Sequence, residues 1–315
     1  MRLSLVVPVY FEQECIARFI AECRAVLDPL GIEYEMVFCD DGSSDRTTAI
    51  IREHALSDLR IRLIELSYNH GKQAAVSAAI AHASGELLLY MDPDLQDPPE
   101  EIPRFLAAIG NDYDLVFGVR SEKKDRLLNR VFSRLFWATL EKFTGLEIPR
   151  GLAVMRIFNR RFADQFLRYA EQNRFIEGIF MHIGMRRGVI EIAQRARFAG
   201  VSKFNFRRKM ALAFDAILDF SELPLTLAVK LGAWISALAL AAVLTVVALK
   251  LALVDFQAGW PSLLSLLLLG FGVQLFFLGV AALYVGRIYR EVKGRPLFSI
   301  RALVNLSPPD PPRGG

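Results

Sequence analysis

Hydrophobic and polar positions alternate in blocks through the first 120 residues. Leu3-Ser-Leu-Val-Val-Pro-Val-Tyr-Phe-Glu12 is a β-branched run interrupted by Pro8, and Ile16–Leu27 repeats its apolar residues at helical spacing. Tyr34–Cys39 is a second strand, ending in Asp40-Asp-Gly-Ser-Ser-Asp45, where Ser44 or Asp45 is placed to cap a helix from about Thr47 to His54. Arg62–Leu66 is a third strand and runs into Asn69-His-Gly-Lys72, ahead of an Ala-rich helix through Ala83. Leu87–Met91 is a fourth, stopping abruptly at Asp92-Pro-Asp-Leu-Gln-Asp-Pro-Pro99, and Asp114–Phe117 is a fifth, ending at Gly118-Val-Arg120. Strands that alternate with helices predict an α/β domain built on a mostly parallel, doubly wound sheet. Each polar cluster then sits at the carboxyl end of a strand, where open α/β sheets bind ligands.

Beyond residue 120 the period changes. The stretch from Ser121 to Thr144 reads as one amphipathic helix, with Leu128, Val131, Phe132, Leu135 and Phe136 on one side and Arg126, Asn129, Arg130, Ser133 and Arg134 on another. Such a helix covers a domain surface or lies on a membrane. Leu231–Leu249 is apolar and uncharged at close to the ~20 residues that span a bilayer. Phe256–Gly286 is a second such stretch. Arg207, Arg208, Lys209 and Lys230 precede the pair, Arg287, Arg290, Lys293 and Arg295 follow it, and the connection lacks Lys and Arg. The excess of positive charge on the outer flanks predicts a hairpin anchor in the cytoplasmic membrane, with both termini cytoplasmic. The expected organisation is a catalytic domain over 1–205, a juxtamembrane segment over 206–227, the hairpin over 228–290 and a tail over 291–315 whose Pro/Gly-rich end is disordered.

Composition agrees with a soluble domain joined to membrane segments: 53% of the 315 residues are hydrophobic and the mean hydropathy is +0.30. The net charge of +4 is mild, and no nucleic-acid partner is expected; homo-oligomerisation is left open. Cys15, Cys23 and Cys39 are odd in number and lack metal spacing, which suits a reducing compartment. No signal peptide is expected ahead of the strand at Leu3.

The chemistry concentrates after the fourth strand. Asp92, Asp94 and Gln96 offer hard oxygen ligands for Mg²⁺ or Mn²⁺, ions that are commonly shared with substrate phosphates. Asp and Pro are also ordinary turn formers, so this stretch gains meaning only from its partners. Tyr10 offers an aromatic face, and Glu12 and Asp40 offer acceptors for ribose hydroxyls or base N–H groups.

Taken in order, Pro8-Val-Tyr-x-Glu12, Asp40-Asp-Gly-Ser-Ser-Asp45, Asn69-x-Gly-Lys72, Asp92-x-Asp-Leu-Gln-Asp-Pro-Pro-Glu100 and Gly118-x-Arg120 resemble the family-2 inverting glycosyltransferases. Within that family the chain is most similar to the polyisoprenyl-phosphate hexose transferases; Asn173-Arg-Phe-Ile-Glu-Gly-Ile-Phe180, Arg197-Phe-Ala-Gly-Val-Ser-Lys203 and Tyr284-Val-Gly-Arg-Ile-Tyr-Arg-Glu-Val-Lys-Gly-Arg-Pro296 resemble the bactoprenol branch. The resemblance implies a GT-A-like, Rossmann-like catalytic domain, a nucleotide sugar and a polyprenyl phosphate as substrates, and a divalent metal. It implies that Pro8, Tyr10, Glu12, Phe38, Asp40, Asp41, Lys72 and Pro93 line the nucleotide-sugar pocket, with Asp92 beside the ribose and diphosphate. It gives Asp94 and Gln96, with Asp92, the metal, and makes Arg120, Arg197 and Lys203 phosphate-gripping residues, Arg120 counting with Asp92 and Asp94 as catalytic. Arg130 and Ser133, joined by Arg134, resemble the acceptor-phosphate site of dolichyl-phosphate mannose synthase.

Two positions depart from the pattern. Val154 stands where the branch carries an Asp that is a proposed base, and Tyr68 stands where Arg is usual. The expected reaction is inverting transfer of a hexose, with UDP-glucose and undecaprenyl phosphate the expected pair. Transfer of mannose, GlcNAc or aminoarabinose to the same lipid, a processive polysaccharide synthase and a catalytically weak membrane adaptor remain as alternatives. For the synthase, Gln165-Phe-Leu-Arg-Tyr169 is only a near miss to the expected signature and reads as ordinary helix.

Overall fold

The computed structural model describes residues 1–110, 112–120, 149, 151–169, 171–172, 174–193, 195, 223–251 and 259–306. The chain divides into two units: residues 1–209 with 296–315, and residues 210–295.

The first unit is organised on an eight-stranded sheet. Its strands are β1 (Arg2–Val9), β2 (Glu33–Asp40), β3 (Ile61–Leu66), β4 (Leu87–Tyr90), β5 (Leu115–Arg120), β6 (Leu152–Asn159), β7 (Arg187–Ile192) and β8 (Ile300–Val304). They lie in the order β7-β5-β6-β4-β1-β2-β3-β8. The pairs β1–β2, β1–β4, β2–β3 and β5–β7 are parallel, whereas β4–β6, β5–β6 and β3–β8 are antiparallel. Central strands β1 and β2 are buried along nearly their whole length, which is why both read as continuous apolar runs.

Alternation along the strands separates two layers of core. Leu3, Leu5, Val7 and Val9 meet α1 (Ile16–Leu27), α2 (Thr47–Ser57) and α4 (Ile102–Ile109) through Phe19, Ile20, Ile51, Phe105 and Ile109. The opposite face carries α3 (Lys72–His82), whose Ala74, Ala75, Ala78 and Ala79 are buried and let it lie close to the sheet. Next to it, α5 (Arg160–Arg168) and α6 (Ile176–His182) supply Phe162, Phe166 and Phe180, whose rings meet edge to face at 5.1–5.2 Å. Gln165 and Arg168 of the near-miss signature lie in α5, an ordinary helix.

The first five strands and the helices between the first four of them stand where the hydrophobic pattern put them, whereas α4, between β4 and β5, was not anticipated. The fifth is longer than expected. Its pairing with β7 runs through Arg120, so Gly118 and Arg120 belong to the strand instead of the loop after it. Antiparallel β6, inserted between β4 and β5, is a departure from the parallel expectation, and its partners are remote in sequence. β8 corrects the reading of 291–315 as a tail: residues 300–304 complete the sheet of the first unit. The helix expected over 121–144 lies outside the described residues, as do Arg130, Ser133, Arg134, Arg197, Lys203 and the stretch 206–222.

The second unit contains α7 (Leu223–Leu251) and α8 (Trp260–Val292). Windows at Leu225–Ala242 and Leu269–Val292 are long and apolar enough to cross a membrane.

At the amino end of the sheet, Glu35 is 1% exposed and fully engaged. It accepts from Ser4 Oγ and the Ser84 amide, each at 2.6 Å, and pairs with Arg2 and Arg62 at 2.9 and 2.7 Å. Burial alone would raise its pKa, but the Ser4 and Ser84 hydrogen bonds and the Arg62 charge outweigh it and hold the carboxyl below its ordinary value. A depressed folded-state pKa adds stability above the unfolded pKa, and that stability is lost as pH falls through the folded value. Glu35→Gln should therefore lower unfolding stability at neutral pH by about 1.5–3 kcal/mol, the worth of hydrogen bonds to a charged group. The deficit should shrink with acidification, which thermal unfolding of both proteins across acid pH checks.

Candidate active site

The carboxyl ends of β1 to β4 form one polar edge. After β1, Phe11 takes a left-handed conformation, φ 56°, and donates its amide to Ser43 Oγ at 3.0 Å. The Glu12 amide donates to Thr47 Oγ1 at 2.9 Å, so the start of α2 fixes the β1 loop. Glu12 accepts from the Cys15 thiol at 3.0 Å. Burial, then Glu12, then the charge of Asp94 push the Cys15 thiol up. Tyr10 and Phe11 have ring centroids 4.2 Å apart.

At the end of β2 the two aspartates divide. Asp40 is buried; its Oδ2 accepts from the Ser43 amide and from Thr48 Oγ1, each at 3.1 Å, while Oδ1 is buried without a protein partner. Burial raises the Asp40 pKa, and the Ser43 and Thr48 hydrogen bonds only partly offset it. Asp41 spends both oxygens on the next loop, accepting from the His70 amide at 2.7 Å and the Gly71 amide at 2.9 Å. Asp41 thus ties β2 to the β3–α3 loop. Phe38 packs edge-on against Phe19 at 6.2 Å in the core, and Pro8 is buried inside β1 opposite Cys39. Both belong to the sheet that supports the edge.

Lys72, the first residue of α3, reaches Asp92 Oδ2 at 2.6 Å. Burial works against its charge, but Asp92 and Tyr90 outweigh that effect and raise its pKa above the ordinary value. Asp92 Oδ1 is buried without a protein partner. Pro93 is buried behind it. Asp94 Oδ1 accepts from the Gln96 amide at 3.0 Å, closing a turn around Leu95, a buried residue held at φ 58°. A β-carbon-bearing residue in that region is sparsely populated and persists only where its surroundings over-determine it. The turn sets Asp94 and Gln96 on either side of the anchored leucine.

Asp97 supplies the anchorage, and no role was assigned to it from the sequence. It is almost fully buried and accepts four hydrogen bonds: Arg120 Nε at 3.1 Å and Nη2 at 2.6 Å on Oδ1, and the Val154 and Met155 amides at 3.1 and 3.0 Å on Oδ2. One carboxylate thus joins the β4 loop, the end of β5 and the start of β6. Arg120, read as a phosphate grip, is committed to Asp97. Val154 contributes its backbone N–H to the same carboxylate, while its carbonyl accepts from Arg156 Nε at 2.9 Å.

Arg156 is the other residue that sequence reasoning left without a role. It is 1% exposed. In register it lies opposite Tyr90 on β4 and Phe117 on β5, and its guanidinium sits 5.3, 5.5 and 5.2 Å from the rings of Tyr90, Phe117 and Phe180. Glu177 lies 3.6 Å away. A third carboxylate in the Asp-Pro-Pro run was the available signal for Asp97; nothing local signalled the cage around Arg156.

Among the described residues, no three His, Cys, Asp or Glu side chains gather to hold a metal by themselves. The donor set nevertheless fits a hard divalent ion of the Mg²⁺ or Mn²⁺ kind, which is bound by one or two carboxylates and completes its shell with substrate phosphates and water. The unpartnered Asp92 Oδ1 and the adjacent Asp94 are such carboxylates.

The sequence model for "Glycosyl transferase family 2" matches residues 4–167, more than half of the chain and every strand end described above. The chain belongs to glycosyl transferase family 2. This glycosyltransferase is 35% identical over 303 residues to the bactoprenol glucosyl transferase of Shigella phage SfII, covering 96% of this chain and 98% of that protein. It is 34% identical over 302 residues to an uncharacterized glycosyltransferase of Bacillus subtilis, covering 96% and 94%. It is 31% identical over 309 residues to the undecaprenyl-phosphate 4-deoxy-4-formamido-L-arabinose transferase of Klebsiella pneumoniae, again covering 96% and 94%. Among solved structures, glucosyl-3-phosphoglycerate synthase from Mycobacterium tuberculosis in complex with Mn²⁺, UDP and glucosyl-3-phosphoglycerate aligns at a TM-score of 0.47 and 17% identity, covering 69% of this chain and 77% of that one.

The Asp97 junction makes an ordered prediction. Asp97→Ala leaves Arg120 and two amides without their acceptor and should cost about 3–5 kcal/mol, as removal of one partner of a buried pair does. Arg120→Gln leaves the Val154 and Met155 amides bonded and should cost less. Denaturant unfolding of the two variants checks the order; a larger loss from Arg120→Gln would mean that the cation, not the carboxylate, holds the junction.

Proposed function

We propose that this glycosyltransferase moves a hexose from a nucleotide sugar to polyprenyl phosphate at the cytoplasmic face of a membrane. UDP-glucose and undecaprenyl phosphate are the favoured pair. The observation that carries the reading is the Asp92–Asp94–Gln96 turn on the same edge as Asp40, in a chain matched nearly end to end by a bactoprenol glucosyl transferase.

In this reading Asp40 Oδ1, desolvated and unpartnered, accepts from a donor N–H or hydroxyl of the nucleoside, and Tyr10 and Glu12 border the same ligand. Asp92 and Lys72 flank the ribose and diphosphate. Asp94 with Asp92 and Gln96 would hold a divalent ion, which when bound supplies Lewis-acid neutralisation of the departing diphosphate. Arg120 orients the site through Asp97 in place of gripping phosphate itself. Val154 is compatible with turnover. A sugar hydroxyl acceptor needs a general base, whereas a phosphate monoester, with a second pKa of about 6, is largely a dianion near neutrality and needs none. Arg130, Ser133 and Arg134 remain the acceptor-phosphate residues in this proposal, and Arg197 and Lys203 further phosphate contacts.

Two apolar helices and the basic flanks support an anchor that crosses the membrane twice. The return of the chain as β8 into the sheet that precedes both helices adds independent support, because a double crossing puts both ends of the hairpin on one side.

Purified protein incubated with a panel of sugar nucleotides and undecaprenyl phosphate should transfer glucose from UDP-glucose, lose turnover in EDTA, and lose most of it in Asp94→Asn with the fold intact. Full activity of Asp94→Asn would remove the residue from the metal site. Transfer of another sugar would redirect the donor assignment, and no transfer from any donor would leave the adaptor reading.

For orientation, a cysteine at Gln257, in a variant lacking Cys15, Cys23 and Cys39, should react with an impermeant thiol reagent added outside intact cells. Labelling of a cysteine at the N-terminus instead would invert the topology.

A further inference from the structure

The strand that follows the second apolar helix is fastened to the catalytic unit at three places. Arg301 pairs with Glu65 at 2.9 Å, and Glu65 in turn pairs with Arg52. Asn305 Nδ2 donates to the carbonyls of Ala55 and Ile61 at 2.7 and 2.9 Å. The third attachment differs in kind, because it reaches past the sheet into the loop after β3. Ser299 accepts from the Ser67 amide at 2.9 Å, and its own amide donates to His70 Nε2 at 3.3 Å. A backbone amide only donates, so Nε2 is the accepting nitrogen and the ring proton sits on Nδ1.

His70 is therefore held at three points. Its backbone N–H is bonded to Asp41, its ring edge is bonded to Ser299, and its ring face stacks on Tyr68 at 3.9 Å. The two residues after it are Gly71, at φ 93° with its amide on Asp41, and Lys72, which opens α3 and reaches Asp92. A glycine at that position leaves the backbone permissive. The direction in which Lys72 leaves the loop is thus fixed by its neighbours, not by its own backbone.

We propose that His70 is a positioning residue, through which the strand after the hairpin holds Lys72 against Asp92. The contact makes the strand after the second apolar helix part of the donor site: that return segment sets the geometry of a charge pair that lies far from it in sequence. The inference rests on the reading of Lys72 and Asp92 as donor-binding groups for its kinetic consequence, and on geometry alone for its structural one.

Two measurements on the full-length protein in detergent separate these. His70→Phe keeps a ring to stack on Tyr68 and removes the acceptor; Ser299→Pro removes the donor and leaves the ring. Each should raise the KM for the sugar nucleotide about three- to tenfold, the worth of one hydrogen bond, with kcat and the acceptor KM close to wild type. The double variant should be no worse than the poorer single, because both act through one contact. Effects that multiply, or a change confined to kcat or to the acceptor KM, would overturn the proposal. Hydrogen exchange needs no substrate. Ser299→Pro should speed exchange at the His70 and Gly71 amides as well as in β8, and acceleration restricted to β8 would overturn the coupling even if the donor assignment holds. Should Ser299→Pro fail to fold, exchange in His70→Phe decides the same point at the Gly71 amide. Absence of transfer by the wild-type protein would count against the donor reading alone and leave the exchange result to judge the contact.

Discussion

The arrangement of the site depends on carboxylates that have been taken out of water and paid back in hydrogen bonds. Asp97 is the clearest case. Four donors from two segments, the end of β5 and the start of β6, converge on it, and neither segment is a sequence neighbour of the β4 loop that carries it. Burying an ionised carboxylate costs far more than one hydrogen bond returns, so the site tolerates only the arrangement in which all four are made. The turn around Leu95, with its left-handed backbone, is held open by that junction on one side and by the Asp94–Gln96 bond on the other.

The same economy separates residues that serve the scaffold from residues that remain available to a ligand. Asp41 and Asp97 have both carboxylate oxygens engaged within the protein, and Arg120 gives Nε and Nη2 to Asp97. Asp40 and Asp92 each keep one buried oxygen without a protein partner, on the edge where the strands end. A buried acceptor left open in this way is costly in the absence of a ligand, and its pairing on binding recovers that cost. The raised pKa of Asp40 follows from the same desolvation. Preorganisation here consists of aspartates positioned by other aspartates.

The half of the sheet beyond β4 solves a different problem. Arg156 is a cation enclosed by the rings of Tyr90, Phe117 and Phe180, with Glu177 as its nearest carboxylate. It sits between β4 and β5 because antiparallel β6 is inserted there, so the strand that interrupts the parallel order also carries the group that fills the space between aromatic layers. Val154, two residues earlier, shows how a position that lacks a functional side chain still contributes through its backbone.

Hydrophobic periodicity alone determined β1 to β4 and α1 to α3, because in these segments one local period or one unbroken apolar run coincides with burial, and uninterrupted apolar length alone marked the two long helices. It also located the Asp92–Gln96 stretch and the loops at the strand ends, since polar residues that interrupt an apolar run mark where a strand leaves the core. The tertiary structure decided the rest. β6, β7 and β8 pair with strands far away in the chain, so their register is set by partners that no local window contains. Asp40 and Asp41 are chemically identical neighbours, and only the approach of the His70–Gly71 amides makes one structural and leaves the other open. Arg120 reads as a free cation in the sequence and becomes half of a partly buried pair because Asp97 is brought to it across 23 residues of chain. Residue type fixes which interactions a side chain is able to make; the folded chain alone fixes which of them is satisfied before any substrate arrives.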